Sequence, residues 1–208
     1  MRLLLIRHGQ SVGNAMGRMQ GWSDEPLDDT GIEQATSLAS RLAAEHRVTA
    51  VYASPLKRAR RTAEIVAMRL SLEVLFDERL KELDCGVITG LTFAEIEERF
   101  PEIVRSWRTE LAWAPVPGEE DHGAFLSRVT AAIVDISARH AGDGEVAIVA
   151  HGGTLSAVMA GLLHLDYSVR QPWAFGNASL SIVDIGGLRP RVLLLNDRHH
   201  WITQRGVT

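Results

Sequence analysis

Residues 3–9 read LLLIRHG, and this stretch decides the fold. Four consecutive apolar residues are typical of a strand buried on both faces of a parallel sheet, because a strand with one solvated face alternates apolar and polar residues. Two later runs have the same character, AVYA at 50–53 and VAIV at 146–149. Helical patterns separate and follow these runs, at 31–45, 55–70, 125–139 and 154–163. This alternation predicts an α/β fold, a three-layer sandwich whose central sheet is mostly parallel and flanked by helices.

Two further strands are predicted at 179–185 and 191–195, with Gly186-Gly187 between them. They run antiparallel if the glycine pair makes a tight turn. No repeat, low-complexity tract or Gly/Ser linker divides the sequence. We therefore expect a single domain over residues 1–208.

One helical segment, at 93–113, is too long for a simple connection. It carries Trp107 and Trp113 and is followed by two prolines. We interpret residues 93–117 as a helical insertion that caps a binding site or forms a homodimer contact. Its aromatic residues would then cover part of a ligand, bury the dimer interface, or pack the insertion itself.

The composition argues against several classes of protein. A net charge of −4 disfavours non-specific nucleic-acid binding, which needs a basic surface. The opening apolar run is too short for a signal peptide, and no stretch is long enough to span a membrane. The one cysteine, Cys85, excludes an internal disulfide and fits a reducing compartment. We therefore expect a cytoplasmic enzyme.

Polar residues suited to one anionic ligand follow three of the predicted strands. Arg7-His8-Gly9 follows the first, SPLKR at 54–58 the second, and His151-Gly152-Gly153 the third. Ligands of open α/β sheets bind at the carboxyl ends of the strands. If these strands are neighbours, two histidines and two arginines converge there. Because Gly152-Gly153 leads into a helix, we also expect free N–H groups for an anion at that point.

The helix predicted after residue 54 begins with several basic residues, although cations are unfavourable at a helix N-terminus. Ser54 is predicted as the N-cap and Pro55 as the first helical residue. Four cationic residues between 57 and 61 then crowd a helix end that is already positive. Helical spacing turns Lys57 and Arg61 outward together, whereas Arg58 lies on a different flank. The forked guanidinium of Arg58 is therefore expected to hold phosphate oxygens.

In their order along the chain, these motifs resemble the signature of the histidine phosphatase (phosphoglycerate mutase-like) superfamily. The matching stretches are Arg7-His8-Gly9-Gln10-Ser11 with Asn14, RMQG at 18–21, SPLKRA at 54–59, LKE at 80–82 and His151-Gly152-Gly153. They span nearly the whole chain. The resemblance implies a phosphoglycerate mutase-like fold and a phosphatase that hydrolyses small phosphate monoesters through a phosphohistidine intermediate.

The resemblance also implies a role for each site residue. His8 is the nucleophile, Glu82 is the general acid that later activates water, and His151 completes the catalytic set. The implied phosphate pocket and substrate loop comprise Arg7, Asn14, Arg58 and Gly152, then Gln20 and Gly21. No metal or cofactor is implied. The partner is a small phosphorylated metabolite, whose identity we expect the loop at 16–22 and the segment at 93–113 to select.

Three other functions fit parts of the sequence. GQSVG at 9–13 matches the nucleophile elbow of serine hydrolases, with Ser11 attacking and His151 as base. That elbow lies unusually early, and it leaves Arg7 and Arg58 without a role. A non-catalytic phosphate-binding protein would typically lack the nucleophile. A cofactor-dependent phosphoglycerate mutase is the nearest alternative, disfavoured because the extended insertion and long C-terminal tail typical of those mutases are missing and RMQG is closer to the phosphatases.

Overall fold

The computed structural model describes residues 1–109, 114–142, 144–167 and 172–202. Within them, six strands form one sheet in the order β3-β2-β4-β1-β5-β6. The strands are β1 Arg2–Arg7, β2 Val48–Ala53, β3 Val74–Phe76, β4 Glu145–Ala150, β5 Leu180–Asp184 and β6 Arg191–Asp197. The first four pair in parallel, and β5 is antiparallel to both β1 and β6. The mostly parallel sheet and the antiparallel closing strands are both confirmed.

The described residues form eight α-helices. They are α1 Val12–Ala15, α2 Asp29–Glu45, α3 Lys57–Leu70, α4 Phe93–Arg99, α5 Pro101–Thr109, α6 His122–Arg139, α7 Gly152–Leu163 and α8 His199–Ile202. Short 3₁₀ turns cover Glu78–Leu80 and Gly86–Ile88. None of the helices in the described residues is both long and apolar enough to cross a bilayer.

Helices cover both faces of the sheet, which explains the continuous apolar run in β1. Leu3 and Leu5 face a core shared with α6 and α7, whereas Leu4 and Ile6 face a core shared with α2 and α3. All four side chains are fully buried. Burying each one stabilises the fold by about 2 kcal/mol relative to exposure.

Two local predictions are corrected by the structure. Strand β3 was not predicted from the sequence, because a three-residue edge strand whose last two side chains are exposed carries little periodic signal. Ser54 is not the helix N-cap: α3 begins at Lys57, and Leu56 occupies the cap position without a side-chain cap bond. The Ser54 hydroxyl instead hydrogen-bonds to the His151 ring at 2.8 Å.

The segment at 93–117 contains α4 and α5, which pack with Cys85 and Ile88 around a third, small core. Trp107 is only 6% exposed and lies in that core with Ile96 and Val104. Of the three interpretations of its aromatic residues, packing within the insertion therefore holds for Trp107. Trp113 lies outside the described residues.

Candidate active site

The three predicted polar strand ends meet at one edge of the sheet because β2, β4 and β1 are neighbours. Parallel pairing sets Arg7 beside Ala150, so the next residues of the two strands, His8 and His151, are also adjacent. Their ring centroids lie 5.1 Å apart, and both side chains are buried. The convergence expected from the sequence is confirmed.

A cavity of about 870 Å³ opens at this edge of the sheet. Eight of the nine site residues expected from the sequence line it: Arg7, His8, Asn14, Gln20, Gly21, Arg58, Glu82 and Gly152. The ninth, His151, is fully buried against His8. The structure thus brings all nine expected residues together in one site.

The ring of His8 is oriented by its own backbone neighbour. Its Nδ1 lies 2.7 Å from the carbonyl oxygen of Gly9. A carbonyl can only accept a hydrogen bond, so Nδ1 carries the proton and Nε2 keeps a free lone pair. The Gly9 backbone is held in turn by its N–H, which donates to Thr62 Oγ1 at 3.0 Å.

The two imidazoles are neutral at physiological pH. Burial lowers the pKa of both His8 and His151 well below 6.5, and the positive charges of Arg7 and Arg58 lower the pKa of each further. The His151 Nε2 pairs with Ser54 Oγ. Its Nδ1 is buried and has no hydrogen-bond partner among the described residues.

Two arginines enter the site with part of their donor capacity unused. Arg58 is 1% exposed and donates from Nη2 to Gly21 O at 2.8 Å and from Nη1 to Ser23 O at 2.6 Å. Arg7 donates from Nη1 to Phe175 O. Within the described ranges, the Nε atoms of both are buried without a partner. A desolvated guanidinium with an unsatisfied donor is costly, so an anionic ligand would stabilise this arrangement.

Glu82 is held by the start of helix α7. Its carboxylate accepts hydrogen bonds from the N–H of Gly153 at 3.0 Å and of Thr154 at 2.9 Å, and from Leu83 N at 3.1 Å. The expectation of free N–H groups after Gly152 is therefore corrected. The N–H groups at the start of this helix do have an acceptor, but it is the carboxyl group of Glu82 from the same chain.

A family model described as histidine phosphatase superfamily (branch 1) matches residues 3–198. The chain belongs to this superfamily. The resemblance drawn from the sequence motifs is thus confirmed over almost the whole chain, and the phosphoglycerate mutase-like fold agrees with its solved structural neighbours.

Individual relatives of this histidine phosphatase superfamily member carry both phosphatase and mutase names. Phosphoserine phosphatase 1 of Hydrogenobacter thermophilus is 35% identical over 96% of this chain and 94% of its own. A probable phosphoglycerate mutase of Escherichia coli is 33% identical over 88% and 85%. The structure of a mycobacterial glucosyl-3-phosphoglycerate phosphatase with VO3 superposes with a TM-score of 0.85 at 33% identity, covering 94% and 98%. The phosphatase names support a phosphoric monoester hydrolase.

The geometry rules out the serine-hydrolase alternative for this superfamily member. Ser11 is fully buried and caps α1, where its hydroxyl accepts from Asn14 N at 3.1 Å. The hydroxyl also lies 2.8 Å from Gln20 Oε1. The base proposed for it, His151, pairs with Ser54 instead. Ser11 therefore shapes the loop that carries Asn14 and Gln20.

One wall of the cavity was not predicted from the sequence. Tyr167, Trp173 and Phe175, from the connection between α7 and β5, line it together with His122 and Ser156. These aromatic side chains belong to no motif, and their grouping in one long connection was the only signal. In contrast, none of the described residues between 93 and 117 lines the cavity, so the expected substrate contact from that segment is wrong for its described part. The loop at 16–22 does line it, through Met19 among others.

The candidate site has no evident protein-based metal centre. Across the described ranges, no group of three or more His, Cys, Asp or Glu side chains is arranged to hold a metal ion. Cys85 lines the cavity, but burial raises the pKa of its thiol to about 12, so it stays protonated and is not a nucleophile at neutral pH.

Proposed function

We propose that the protein hydrolyses small phosphate monoesters by transferring the phosphoryl group first to Nε2 of His8 and then to water. The observation that carries the proposal is the hydrogen bond between His8 Nδ1 and Gly9 O. It leaves the lone pair of Nε2 available in a cavity wall that also contains the buried Arg58 and the half-buried Arg7. A neutral, oriented imidazole is what nucleophilic attack on phosphorus requires.

The arginines and their neighbours form the proposed phosphate pocket. Arg7 and Arg58 supply fixed positive charge, and each has a buried Nε without a partner among the described residues. His151 offers a buried Nδ1, while Asn14 and Gly152 line the same cavity. Phosphoryl transfer depends mainly on positioning and on stabilising charge at the equatorial oxygens, which such donors do.

Glu82 is the proposed general acid and base. In the first step the Nε2–P bond forms, the P–O bond to the leaving group breaks, and protonated Glu82 gives its proton to the departing oxygen. In the second step the Glu82 carboxylate takes a proton from water as the water oxygen attacks phosphorus. The Nε2–P bond then breaks, and His8 and protonated Glu82 are regenerated. Gln20 and Gly21 line the same cavity and are the proposed substrate-binding residues.

Hydrolysis is favoured over a mutase reaction. Relatives named as phosphatases for phosphoserine and for glucosyl-3-phosphoglycerate match at least 94% of this chain. A cofactor-dependent mutase would return the phosphoryl group to a glycerate rather than to water. ³¹P NMR on 3-phosphoglycerate with 2,3-bisphosphoglycerate separates the two, since a phosphatase yields inorganic phosphate and a mutase yields the 2-phosphate isomer.

The proposal extends to compartment and partners. We propose a cytoplasmic, metal-independent enzyme that acts on a small phosphorylated metabolite and not on nucleic acid. The single cysteine and the net charge of −4 support this. A homodimer through the segment at 93–117 stays a prediction, which light scattering on the purified protein tests.

Rapid acid or base quenching of the reacting enzyme tests the covalent step. A phosphate ester labelled with ³²P should leave label on the protein that is stable in base and lost in acid, and mass spectrometry should locate it on His8. The variant His8→Asn should trap no label and should not turn over p-nitrophenyl phosphate. A matched substitution at a distant, exposed histidine, His199→Asn, should behave as wild type. Turnover by the His8 variant at the wild-type rate refutes the proposal.

A further inference from the structure

One half-buried arginine outside the cavity uses its entire guanidinium group on the chain segment that carries Glu82 and on the carboxylate of Glu120. Arg128 lies on α6, and its Nη1 donates to Arg79 O at 2.8 Å and Lys81 O at 2.9 Å. Its Nη2 donates to Glu82 O at 2.9 Å and to Glu120 Oε2 at 2.7 Å, and its Nε to Glu120 Oε1 at 2.6 Å. A guanidinium has five N–H donors, so all five have an acceptor here.

The segment held in this way has little regular structure of its own. A single 3₁₀ turn ends at Leu80, and residues 81–85 belong to no helix or strand. Such a segment pays a conformational entropy cost of about 1–2 kcal/mol per ordered residue unless external contacts hold it. Contacts from one rigid, planar group to the carbonyls of Arg79, Lys81 and Glu82 supply that restraint.

Glu82 is therefore fixed from two sides. Helix α7 binds its carboxylate through Gly153 and Thr154, and Arg128 binds its backbone carbonyl. The Trp22 indole N–H also donates to that carbonyl, at 2.7 Å. The backbone of Glu82 is thus tied to α6 and its carboxylate to α7. If its backbone moved, the carboxylate would move relative to His8.

The charge of Arg128 is balanced locally. Its side chain is 19% exposed and that of Glu120 is 16% exposed, and the pair is bidentate, the strongest geometry for such a contact. Glu120 N also donates to Asp84 O at 3.1 Å, which ties the carboxylate partner to the far end of the same segment. Removing the guanidinium would take one donor from each carbonyl and leave only the Trp22 indole on Glu82 O and the Thr154 hydroxyl on Lys81 O. It would also leave a partly buried carboxylate unpaired.

We propose that Arg128 is a positioning residue for the reaction, which holds Glu82 where it can protonate the leaving oxygen. This inference rests on the proposed function, because it takes Glu82 as the general acid. It assigns a role to a side chain that does not line the cavity and does not contact the phosphate pocket.

The dependence of the rate on the leaving group separates positioning from general structural support. An alkyl phosphate such as O-phosphoserine needs a proton on its departing oxygen, whereas the phenolate of p-nitrophenyl phosphate leaves without one. We compare kcat/KM, which reports only the steps up to departure of the leaving group and excludes hydrolysis of the common phosphohistidine. We expect Arg128→Met to lower kcat/KM on the alkyl ester at least about tenfold, a part of the 10²–10⁴ that general acid catalysis supplies, and kcat/KM on p-nitrophenyl phosphate less than about threefold. Arg128→Lys keeps the charge but cannot span three carbonyls and a carboxylate, so it should show the same selectivity.

Two reference variants make the result decisive. Glu82→Gln should show the same selectivity for the leaving group, only larger. Arg79→Met removes a neighbouring arginine whose side chain pairs with Asp77 and Asp135, and it should leave both rates near wild type. Circular dichroism should show all variants folded.

Equal losses on both esters in Arg128→Met, or full activity in Arg128→Lys, overturn the positioning role while the proposed function stands. If Glu82→Gln lowers the rates on both esters equally, Glu82 is not the general acid, and this inference fails together with that assignment. The quench experiment tests the proposed function separately, because it shows directly whether the wild-type enzyme forms phosphohistidine. If it never does, the proposed function is overturned.

Discussion

His8 and His151 lie at the ends of neighbouring parallel strands with ring centroids 5.1 Å apart and ring planes inclined by 59°. Because both rings are buried beside Arg7 and Arg58, a proton on either one would add a third positive charge to a desolvated cluster. The fold thus enforces neutrality on both imidazoles. As neutral rings, His8 can attack phosphorus and His151 can bind the same ligand as the arginines.

The protonation state of His8 gives a direct test of this electrostatic argument. Burial first, then the charges of Arg7 and Arg58, lower its pKa well below 6.5, so the ring should remain neutral as the pH falls through 6.5. Long-range ¹H–¹⁵N spectra at about pH 6 should show a neutral ring with the proton on Nδ1. A doubly protonated His8 at that pH contradicts the burial and charge described here.

The charge of Arg58 contributes to this depression, and two variants separate charge from geometry. Arg58→Gln removes the positive charge, so the pKa of His8 should rise and the acid limb of kcat/KM should move to higher pH. Arg58→Lys keeps the charge, so the acid limb should stay near its wild-type position. Inorganic phosphate should nevertheless inhibit the lysine variant about tenfold more weakly, because an ammonium does not reproduce the forked contacts of a guanidinium. Unchanged inhibition would remove Arg58 from the phosphate pocket.

The parts of this fold that sequence reasoning predicted are those in which a local pattern has one structural meaning. The run at 3–6 is apolar because both faces of β1 are covered, and parallel strands must end at the same edge of a sheet. The convergence of His8 and His151 follows from these two facts. In contrast, β3 is too short and too exposed to carry a pattern.

The parts that sequence reasoning missed depend on contacts between distant segments. The partner of the Gly153 N–H is a carboxylate 71 positions away along the chain, and no local rule indicates it. Likewise, Trp107 and Trp173 look alike in sequence, yet one fills the small core around α4 and α5 and the other lines the cavity. Their roles follow from which element each aromatic residue packs against.

Ser11 is expected to be structural, and its removal tests that directly. Ser11→Ala deletes the hydroxyl that caps α1 and contacts Gln20, so the free energy of unfolding should fall by about 1 kcal/mol. Hydrolysis of p-nitrophenyl phosphate should persist, and a fluorophosphonate should inhibit neither the wild type nor the variant. Inhibition of the wild type that disappears in the variant would restore the serine nucleophile.

A buried histidine far from the site should make stability depend on pH. His200 is 7% exposed, and burial, followed by the charge of Arg41, lowers its pKa to about 4. Below pH 6.5 the unfolded chain binds a proton at this position and the folded protein does not. The contribution of His200 to the free energy of unfolding is therefore fully present above pH 6.5 and is lost progressively between pH 6.5 and about 4. His200→Asn keeps the backbone carbonyl that accepts from Ser37. Urea unfolding at several pH values should show a smaller loss on acidification in this variant than in wild type.

The start of α7 offers a substitution that moves the proposed acid without touching it. A Cβ at position 153 would lie 2.6 Å from Glu82 Oε1, whereas a Cβ at position 161 of the same helix would meet Thr130 Oγ1 at 3.4 Å. Gly153→Ala should therefore displace the Glu82 carboxylate and lower kcat about tenfold or more. Inhibition by inorganic phosphate should change much less, because Arg7 and Arg58 keep their positions. Gly161→Ala should retain full activity and gain about 0.5–1 kcal/mol of stability. Wild-type turnover in Gly153→Ala would show that the carboxylate position does not limit the reaction.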